Sequence, residues 1–318
     1  MFVFSDIDLL ASQLVQKGLR TSTYRTYSSA QRQYVLFCTK YSLQPVPAAQ
    51  DTLLRFVAYG HAKGWTIGTF QVYLASIAAL HKLNGYQAPD LSAYKLKLAL
   101  KAVKDTGPPV KHCAPITYNL LTQFIAHAQD LPQAHLWTAM LSFGYFGAMR
   151  GAEYTAVPAG NGILKAPQLK QLQFVSGHTA PAMQYVIIAS KTSSQPVAVN
   201  IGCSGVPICA VCMMQKYLID RATHSPLTPD SYLFAHPDSR PVTKFQLNAI
   251  IKQLAQKQGL TPEQYTTHSL RAGAATTASL NGFSESDIQH LGHWSSTAYL
   301  TYIRGDTTRQ FSYASKLL

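Results

Sequence analysis

The sequence predicts a mainly α-helical protein with a small antiparallel β-sheet, in which an all-helical domain precedes an α+β domain. Apolar residues recur at helical spacing through most of the chain. A Gly-Pro-Pro segment after residue 106 interrupts this pattern, and short β-prone runs separated by turn residues lie between residues 169 and 201. A chain of 318 residues is also long for a single core, so we expect two domains.

The first third of the chain is predicted to be helical. We expect helices over approximately residues 5–17, 23–41, 50–63, 67–83 and 91–104. The first of these places four aliphatic residues on one face: Ile7, Leu10, Leu14 and Val15. The second carries a stripe at helical spacing, which is typical of a core: Tyr24, Tyr27, Tyr34, Phe37, Cys38 and Tyr41.

The segment TGPPVKHCAP, from Thr106 to Pro115, is predicted to be a linker. Two adjacent prolines after a glycine cannot continue a helix, and the segment lacks apolar periodicity. We therefore divide the chain into a helical domain (residues 1–106), a linker (107–115) and a second domain (116–318). A basic helical domain tethered in this way is suited to close around a rod-shaped ligand like a clamp.

The second domain is predicted to be mostly helical with one small sheet. Its expected helices cover residues 118–128, 133–147, 210–221, 244–258 and 268–281, followed by a short helix capped by Ser284 and Asp287 and a final helical turn. Its expected strands are Leu172–Val175, Gln184–Ala189 and Val197–Ile201. The polar segment SKTSSQP lies between the last two strands as a hairpin tip and carries Lys191.

The composition favours a polyanionic partner. The 27 Lys and Arg residues against 14 Asp and Glu residues give a formal charge of +13, and nucleic acid is the commonest partner of so basic a protein. No apolar run reaches the ~18 residues that a membrane helix needs. Acidic residues near the N-terminus argue against a secretion signal, and five cysteines without framework spacing suit a reducing compartment.

Two groups of polar residues stand out because packing does not require their order. The longer group runs from His268 to Arg304, HSLRAGAATTASLNGFSESDIQHLGHWSSTAYLTYIR, and places His268 and Arg271 on one side of a helix. A Gly-His pair at His293 follows, and Tyr302 comes nine residues later. A site that grips or attacks a phosphodiester would require this set of side chains.

The second group, FGAMRGAEY, contains Arg150 and Glu153. The two residues suit a structural ion pair. They equally suit a guanidinium that is held by a carboxylate and directed at an anion, since a guanidinium can donate to two phosphate oxygens at once.

Together these pieces resemble the tyrosine recombinase (phage integrase) family. The order and approximate spacing of six residues match the catalytic set of that family, and the helical first domain resembles its core-binding domain. The six are Arg150 in GAMRGAEY, Lys191 in SKTSSQ, His268 and Arg271 in HSLR, His293 in LGHW, and Tyr302. The LGHWSSTAYLTYIR ending, and SKTSSQ followed by a cysteine-containing segment, look most like enzymes of eukaryotic tyrosine-recombinase transposons (the DIRS, Ngaro and Crypton groups).

The resemblance implies a site-specific DNA recombinase or integrase that cleaves and rejoins DNA through a 3′-phosphotyrosyl intermediate, for integration or excision of a mobile element. It implies that Tyr302 is the nucleophile and His268 its general base. Arg150, Arg271 and His293 would bind the phosphate, Lys191 would protonate the leaving 5′-oxygen, and Glu153 would orient another side chain of the site. No cofactor and no metal are implied.

The resemblance also implies partners and a location. Double-stranded DNA would be the substrate, and a homo-tetramer would assemble on it. The C-terminal tail would either dock on a neighbouring protomer or fold back on its own domain. A eukaryotic enzyme of this type would act in the nucleus and a bacterial one in the cytoplasm.

Several alternatives stay open. Tyr299 competes with Tyr302 as nucleophile, and Lys170 competes with Lys191, although it precedes the sheet. A DNA-binding protein that keeps the fold without activity predicts losses in the catalytic set, and all six positions carry a competent residue. A type IB topoisomerase-like activity would use similar chemistry. A helical scaffold for protein interactions would explain neither the charge nor the site.

The pair Cys209 and Cys212 forms half of a zinc motif, which Cys203, His178 or His224 would complete. No second pair at finger spacing is present. The apolar residues of the helix that follows favour buried structural thiols.

Overall fold

The computed structural model describes residues 4–107, 113–160, 163–176, 181–188, 195–206, 208–294 and 296–303. The chain divides into two compact units, Met1–Val110 and Lys111–Leu318. The predicted fold class is confirmed, since helices predominate and the described strands form small antiparallel sheets. None of the described helices combines the length and apolar character that crossing a membrane requires.

The first unit consists of helices. They are α1 (Phe4–Lys17), α2 (Thr21–Lys40), α3 (Gln50–Ala62), α4 (Ile67–Leu83) and α5 (Tyr94–Thr106). Their core contains large side chains that are almost completely removed from solvent: Tyr34, Leu53, Phe56, Phe70, Ile77 and Leu96. All five predicted helices are present, and α4 has the predicted bounds.

The predicted core stripe on α2 is correct in its middle and wrong at its ends. Tyr34, Phe37 and Cys38 are buried, whereas Tyr24 and Tyr41 are exposed. The buried part of α2 begins at Ala30 and ends at Cys38, so both exposed tyrosines lie outside it. The four aliphatic residues on one face of α1 are likewise exposed.

The second unit consists of helices, one three-stranded sheet and a two-stranded hairpin among its described residues. Its helices are α6 (Tyr118–Ala128), α7 (Ala134–Phe146), α8 (Gly151–Tyr154), α9 (Ala210–Ala222), α10 (Lys244–Lys257), α11 (Thr267–Leu280) and α12 (Glu285–Gly292). Its strands are β1 (Val157–Gly160), β2 (Ile163–Lys165), β3 (Leu172–Ser176), β4 (Pro181–Ile187) and β5 (Val197–Gly202). Single 3₁₀ turns occur at Leu169–Gln171, Pro262–Gln264 and Thr297–Thr301.

The strands β3, β4 and β5 form the predicted sheet in that order, and each neighbouring pair is antiparallel. Alternate residues of β4, namely Met183, Tyr185 and Ile187, are buried in the helical core. The hairpin of β1 and β2 and the four-residue helix α8 are absent from the sequence prediction. These elements are too short for a helical or a strand periodicity of apolar residues to be recognised, and β1 has the sequence VPAG, which contains Pro and Gly.

The helix α11 is fixed by unusually close backbone contacts. A Cβ at Gly273 would lie 1.7 Å from the carbonyl oxygen of Ile116, so only glycine fits there. The backbone at Ile116 is also hydrogen-bonded to the start of α11, because the Ile116 N–H donates to the Ser269 carbonyl at 2.9 Å. The segment that enters the second unit is therefore held against α11.

We predict that Gly273→Ala lowers the free energy of unfolding by about 1–3 kcal/mol, because the added methyl overlaps backbone that cannot move alone. Chemical denaturation measures this change. Gly202→Ala is the control, since a Cβ at Gly202 meets nothing within 4 Å. Equal stability of the two variants would contradict the close contact.

Candidate active site

The helix α11 delivers two of the predicted site residues from its first turns. Thr266 caps the helix by accepting a hydrogen bond from the His268 N–H, and the Thr267 N–H donates to the side chain of Asn248 at 2.8 Å. These bonds satisfy backbone donors that the first turn of a helix leaves unpaired. One turn later Arg271 points into the domain and is completely buried, while His268 stays exposed.

The guanidinium of Arg271 is held from several sides. Its Nη1 donates to the Ala148 carbonyl, and its Nη2 donates to the Gly292 carbonyl at 2.6 Å. The ring of Trp294 covers the guanidinium carbon at 4.0 Å, and the ring centroid of Tyr302 lies 5.6 Å from the same atom. The buried Nε has no hydrogen-bond partner among the described residues. The group is thus rigidly placed and still has a free donor.

Positive charge exceeds negative charge around Arg271. Burial lowers the pKa of Arg271, the nearby charge of Arg150 lowers it further, and Glu153 and Tyr302 oppose this, which leaves it at about 10. At neutral pH two guanidinium groups therefore face a single carboxylate. Such a buried excess of positive charge is costly without a bound anion.

Arg150 is positioned by the turn between α7 and α8. Its side chain donates to Glu153 Oε1 at 2.8 Å, and its backbone N–H donates to Oε2 of the same carboxylate at 2.7 Å. Glu153 is itself buried, and Tyr185 of β4 donates to its backbone carbonyl at 2.6 Å. Both interpretations of the Arg-Glu pair are compatible with this geometry, because Glu153 fixes Arg150 beside Arg271.

Two residues in the left-handed region of φ shape the site. Ala148 has φ 43°, and it is this residue whose carbonyl accepts from Arg271. His293 has φ 53° and ends α12 immediately after Gly292, whose carbonyl is the other acceptor. Residues with a Cβ are uncommon in this region, and they concentrate at functional sites.

The imidazole of His293 is partly buried beside the two arginines. Burial lowers the pKa of His293, the Glu153 carboxylate raises it, and the charges of Arg271 and Arg150 lower it. Its Nε2 is buried and has no hydrogen-bond partner among the described residues. A neutral imidazole with an unpaired nitrogen is therefore available to a ligand.

The structure distinguishes the two candidate tyrosines. Tyr299 is 1% exposed and belongs to a small core with Trp294, Ile288 and residues of α11. Tyr302 is half-buried at the end of the last 3₁₀ turn, where its backbone carbonyl accepts from Thr276 at 3.2 Å. Tyr302 is thus the tyrosine that faces Arg271.

His268 lies against Tyr302. Their ring centroids are 5.9 Å apart and the ring planes differ by 22°, so the imidazole stacks on the phenol. Together with the contacts above, the structure brings five predicted residues and one supporting residue into one site: Arg150, His268, Arg271, His293, Tyr302 and Glu153.

The two candidate lysines differ in what the structure says of them. Lys191 lies outside the described residues. Lys170, the alternative, lies in the turn before β3, where its ammonium pairs with Asp230 at 2.8 Å. This exposed ion pair gives Lys170 a surface role.

Sequence reasoning did not assign the groups that hold Arg271. Trp294 was visible next to the Gly-His pair, but neither its position over the guanidinium nor the two acceptor carbonyls follow from the sequence. Gly292 is required for this arrangement, because a Cβ there would lie 1.9 Å from the Trp294 ring. A glycine two residues before a tryptophan is the only signal of this contact.

Comparison with known proteins finds a family that is similar to part of this chain. Residues 178–307, which include five of the six predicted catalytic residues, match the Phage integrase family. This part of the chain is similar to that family. No curated protein matches the chain in sequence.

Solved structures share the fold of this chain. The Tn1549 transposon integrase in complex with transposon right end DNA aligns with a TM-score of 0.62 and 14% identity over 96% of this chain and 97% of that chain. The post-cleavage complex of the XerH site-specific recombinase aligns with a TM-score of 0.59 and 16% identity over 84% and 69%. A lambda integrase dimer bound to a core site aligns with a TM-score of 0.58 and 12% identity over 96% of each chain.

We predict that the pKa of His293 lies below its ordinary value of 6.5 and that Glu153→Gln lowers this pKa further. The carboxylate favours the protonated imidazole, so removing its charge removes that support. The ring signals of His293, followed by NMR across the pH range, measure both values.

Glu263→Gln is the control for this titration, because Glu263 is an exposed carboxylate on the 3₁₀ turn at Pro262–Gln264. It should leave the His293 midpoint unchanged. A midpoint above 6.5, or one that ignores Glu153→Gln, would contradict the arrangement of charges described here.

Proposed function

We propose that this protein is a site-specific DNA recombinase that cleaves and rejoins strands through a 3′-phosphotyrosyl intermediate. The observation that carries the proposal is the convergence of Arg150, Arg271, His268 and His293 on Tyr302 from separate parts of the second unit. The similarity of residues 178–307 to the phage integrase family and the fold shared with recombinases support it.

The two arginines bind the scissile phosphate. The transition state of phosphoryl transfer concentrates charge on the non-bridging oxygens, and preorganised donors in a shielded site stabilise that charge most. Arg271 meets this requirement, because both of its Nη atoms are already bound to carbonyls and its Nε is unpaired. Arg150, fixed by Glu153, supplies the second guanidinium. No metal is needed for this charge balance.

Tyr302 is the nucleophile. Its oxygen attacks phosphorus, the bond from phosphorus to the 5′-oxygen breaks, and the phosphotyrosyl link stores the bond energy for rejoining. A phenol with an ordinary pKa of ~10 is mostly protonated at neutral pH, so it needs a base. His268, stacked on Tyr302, accepts this proton. His293 donates to a phosphate oxygen, and Lys191 protonates the leaving 5′-oxygen.

The complete burial of Arg271 adds a step to this mechanism. A phosphate cannot reach a guanidinium that has no solvent exposure until one of the covering side chains moves. Trp294 is held in a core, whereas Tyr302 is half-exposed on the last described turn. Tyr302 therefore swings away from Arg271, and the phosphate enters between them in line for attack.

The remaining parts of the chain take roles that follow from this chemistry. The helical unit at residues 1–106, tethered by residues 107–115, clamps the duplex, and its excess of basic residues meets the phosphate backbone. Exchange between two duplexes needs four active sites, so a tetramer forms on the DNA. The biological role is integration or excision of a mobile element. The C-terminal tail lies outside the described residues, and docking on a neighbouring protomer and folding back on its own domain stay open as its roles.

We predict that Tyr302→Phe abolishes the covalent DNA adduct and that Tyr299→Phe retains it. The phenylalanine keeps each ring in place and removes only the hydroxyl. The substrate is a pool of nicked duplexes with randomised sequence around the nick. Cleavage near the nick releases a short fragment that carries the 5′-hydroxyl. Because this fragment diffuses away, the strand cannot be rejoined and the covalent adduct accumulates. A denaturing gel detects the protein-linked DNA, and sequencing of that DNA identifies the preferred site.

Three outcomes oppose the proposal. An adduct that survives Tyr302→Phe would assign the nucleophile to another residue. DNA binding by the wild-type protein without any adduct would identify a DNA-binding protein that has kept the fold. Relaxation of supercoiled plasmid without dependence on a preferred site would instead favour a topoisomerase-like activity.

We also predict that Arg271→Lys lowers the cleavage rate by about 10²–10³-fold. A lysine ammonium cannot bind the carbonyls of Ala148 and Gly292 and a phosphate at the same time, so the planar, multiple hydrogen bonding of the guanidinium is lost. Arg240→Lys is the matched control, because Arg240 is exposed and forms an ion pair with Asp238 on the surface. Single-turnover cleavage of the selected duplex measures the rate, and equal rates for the two variants would contradict the role of Arg271.

A further inference from the structure

Three cysteines meet where the sheet passes into α9. Cys203 directly follows β5, Cys209 is the residue that caps α9, and Cys212 lies in the first turn of that helix. The sulfurs of Cys203 and Cys209 are 3.3 Å apart, and all three sulfur atoms lie within 4.8 Å of one another. The active-site chemistry described above uses none of them.

This cluster differs from the arrangement that the sequence favoured. Buried structural thiols were expected, but only Cys209 is buried, Cys203 is partly buried and Cys212 is exposed. Packing of apolar surface therefore does not account for three converging thiols. A disulfide does not account for them either, because a sulfur-sulfur bond is about 2.05 Å long.

We propose that Cys203, Cys209 and Cys212 bind one Zn²⁺ ion as thiolates, with the fourth ligand supplied from solution. Zinc-sulfur bonds of about 2.3 Å at tetrahedral angles place sulfur atoms about 3.8 Å apart. The separations in this cluster, from 3.3 Å to at most 4.8 Å, bracket that value. Small rotations of side chains are enough to reach it, and one of the three is exposed on the surface.

The surroundings of the cluster favour thiolates. Cys209 stands at the N-terminus of a thirteen-residue helix, where backbone N–H groups and the helix dipole stabilise negative charge. Three thiolates at such distances repel one another, and a soft divalent cation offsets that repulsion.

The other zinc ligands considered from the sequence do not complete the site within the described chain. His224 follows α9 at its far end, about 18 Å along the helix axis from Cys212 at 1.5 Å per residue. Its Nδ1 is already in contact with the Asp220 carbonyl at 3.0 Å. His178 lies outside the described residues. We therefore assign the fourth coordination position of the zinc to a ligand from solution.

Zinc at this position would tie two elements together. It would join the end of β5 to the start of α9, and α9 packs against α7 in the middle of the domain. Strand β5 is also the strand that follows the segment with Lys191. The ion would therefore act as a structural clip for the sheet, and its removal should lower thermal stability without touching the residues that converge on Tyr302.

Metal analysis of the full chain, purified with a reductant and incubated with Zn²⁺, tests this proposal. We expect about one Zn²⁺ per wild-type chain after unbound metal is removed, and loss of that zinc in Cys212→Ser. Cys212 is exposed, so the serine variant should fold. Cys113→Ser is the matched control, because Cys113 is a free cysteine outside the cluster, and it should bind zinc as the wild type does.

Two further measurements separate the site from adventitious binding. A chelator should lower the melting temperature of the wild type and of Cys113→Ser, but not that of Cys212→Ser. Co²⁺ in place of Zn²⁺ should give a thiolate-to-cobalt charge-transfer band that Cys212→Ser lacks. Failure of the reduced wild type to bind zinc, or equal zinc content in the Cys212→Ser variant, would overturn the proposal. A disulfide between Cys203 and Cys209 in air, with no zinc uptake after reduction, would overturn it as well.

Discussion

The buried guanidinium of Arg271 is the interaction on which the arrangement of the second unit depends. It joins three segments that are far apart in sequence: the end of α7 through Ala148, the helix α11 that carries it, and the end of α12 through Gly292. A charge without solvent exposure is costly, and the cost is offset only if its donors and its flat faces find partners. The two carbonyls and Trp294 provide this. A cation over a desolvated indole contributes about 2 kcal/mol, so the aromatic cover is a substantial part of the compensation.

This constraint explains features that would otherwise be isolated oddities. Left-handed backbone at Ala148 and His293 is strained for residues with a Cβ, yet it aims a carbonyl or an imidazole at the same centre. Glycine at position 292 is needed for the ring that covers the guanidinium. The backbone strain and the buried charge both destabilise the fold locally, and the packing of the rest of the domain offsets them.

Most helices were predictable from the regular spacing of apolar residues, whereas elements formed by contacts between distant segments were not. Long helices such as α4 and α6 were predicted with their observed bounds, because apolar spacing and flanking residues agree there. The capping pair of Ser284 and Asp287 was also readable, since its bonds are local in sequence. The short elements α8, β1 and β2 were missed, because they arise from contacts rather than from a repeating pattern.

The candidate site was predictable as a set of side chains but not as a geometry. The resemblance named the residues that meet at Tyr302, and no property of the sequence shows that Arg271 is sealed or that Ala148 supplies an acceptor. Likewise, the sequence presented Cys209 and Cys212 as a pair, and only the folding of β5 against α9 adds Cys203 to them. Contacts over long sequence distance are set by packing of the whole domain.

The segment that enters the second unit, at Ala114 and Ile116, is bound to α11 and the residues before it. Ala114 is bonded to the carbonyl of Gln264, Ile116 is bonded to that of Ser269, and Gly273 lies against Ile116. The segment at Ala114 and Ile116 is therefore fixed to the helix that carries Arg271. Because Ser269 and Gly273 each lie two residues from Arg271, a displacement of this segment would act on the backbone that positions the guanidinium.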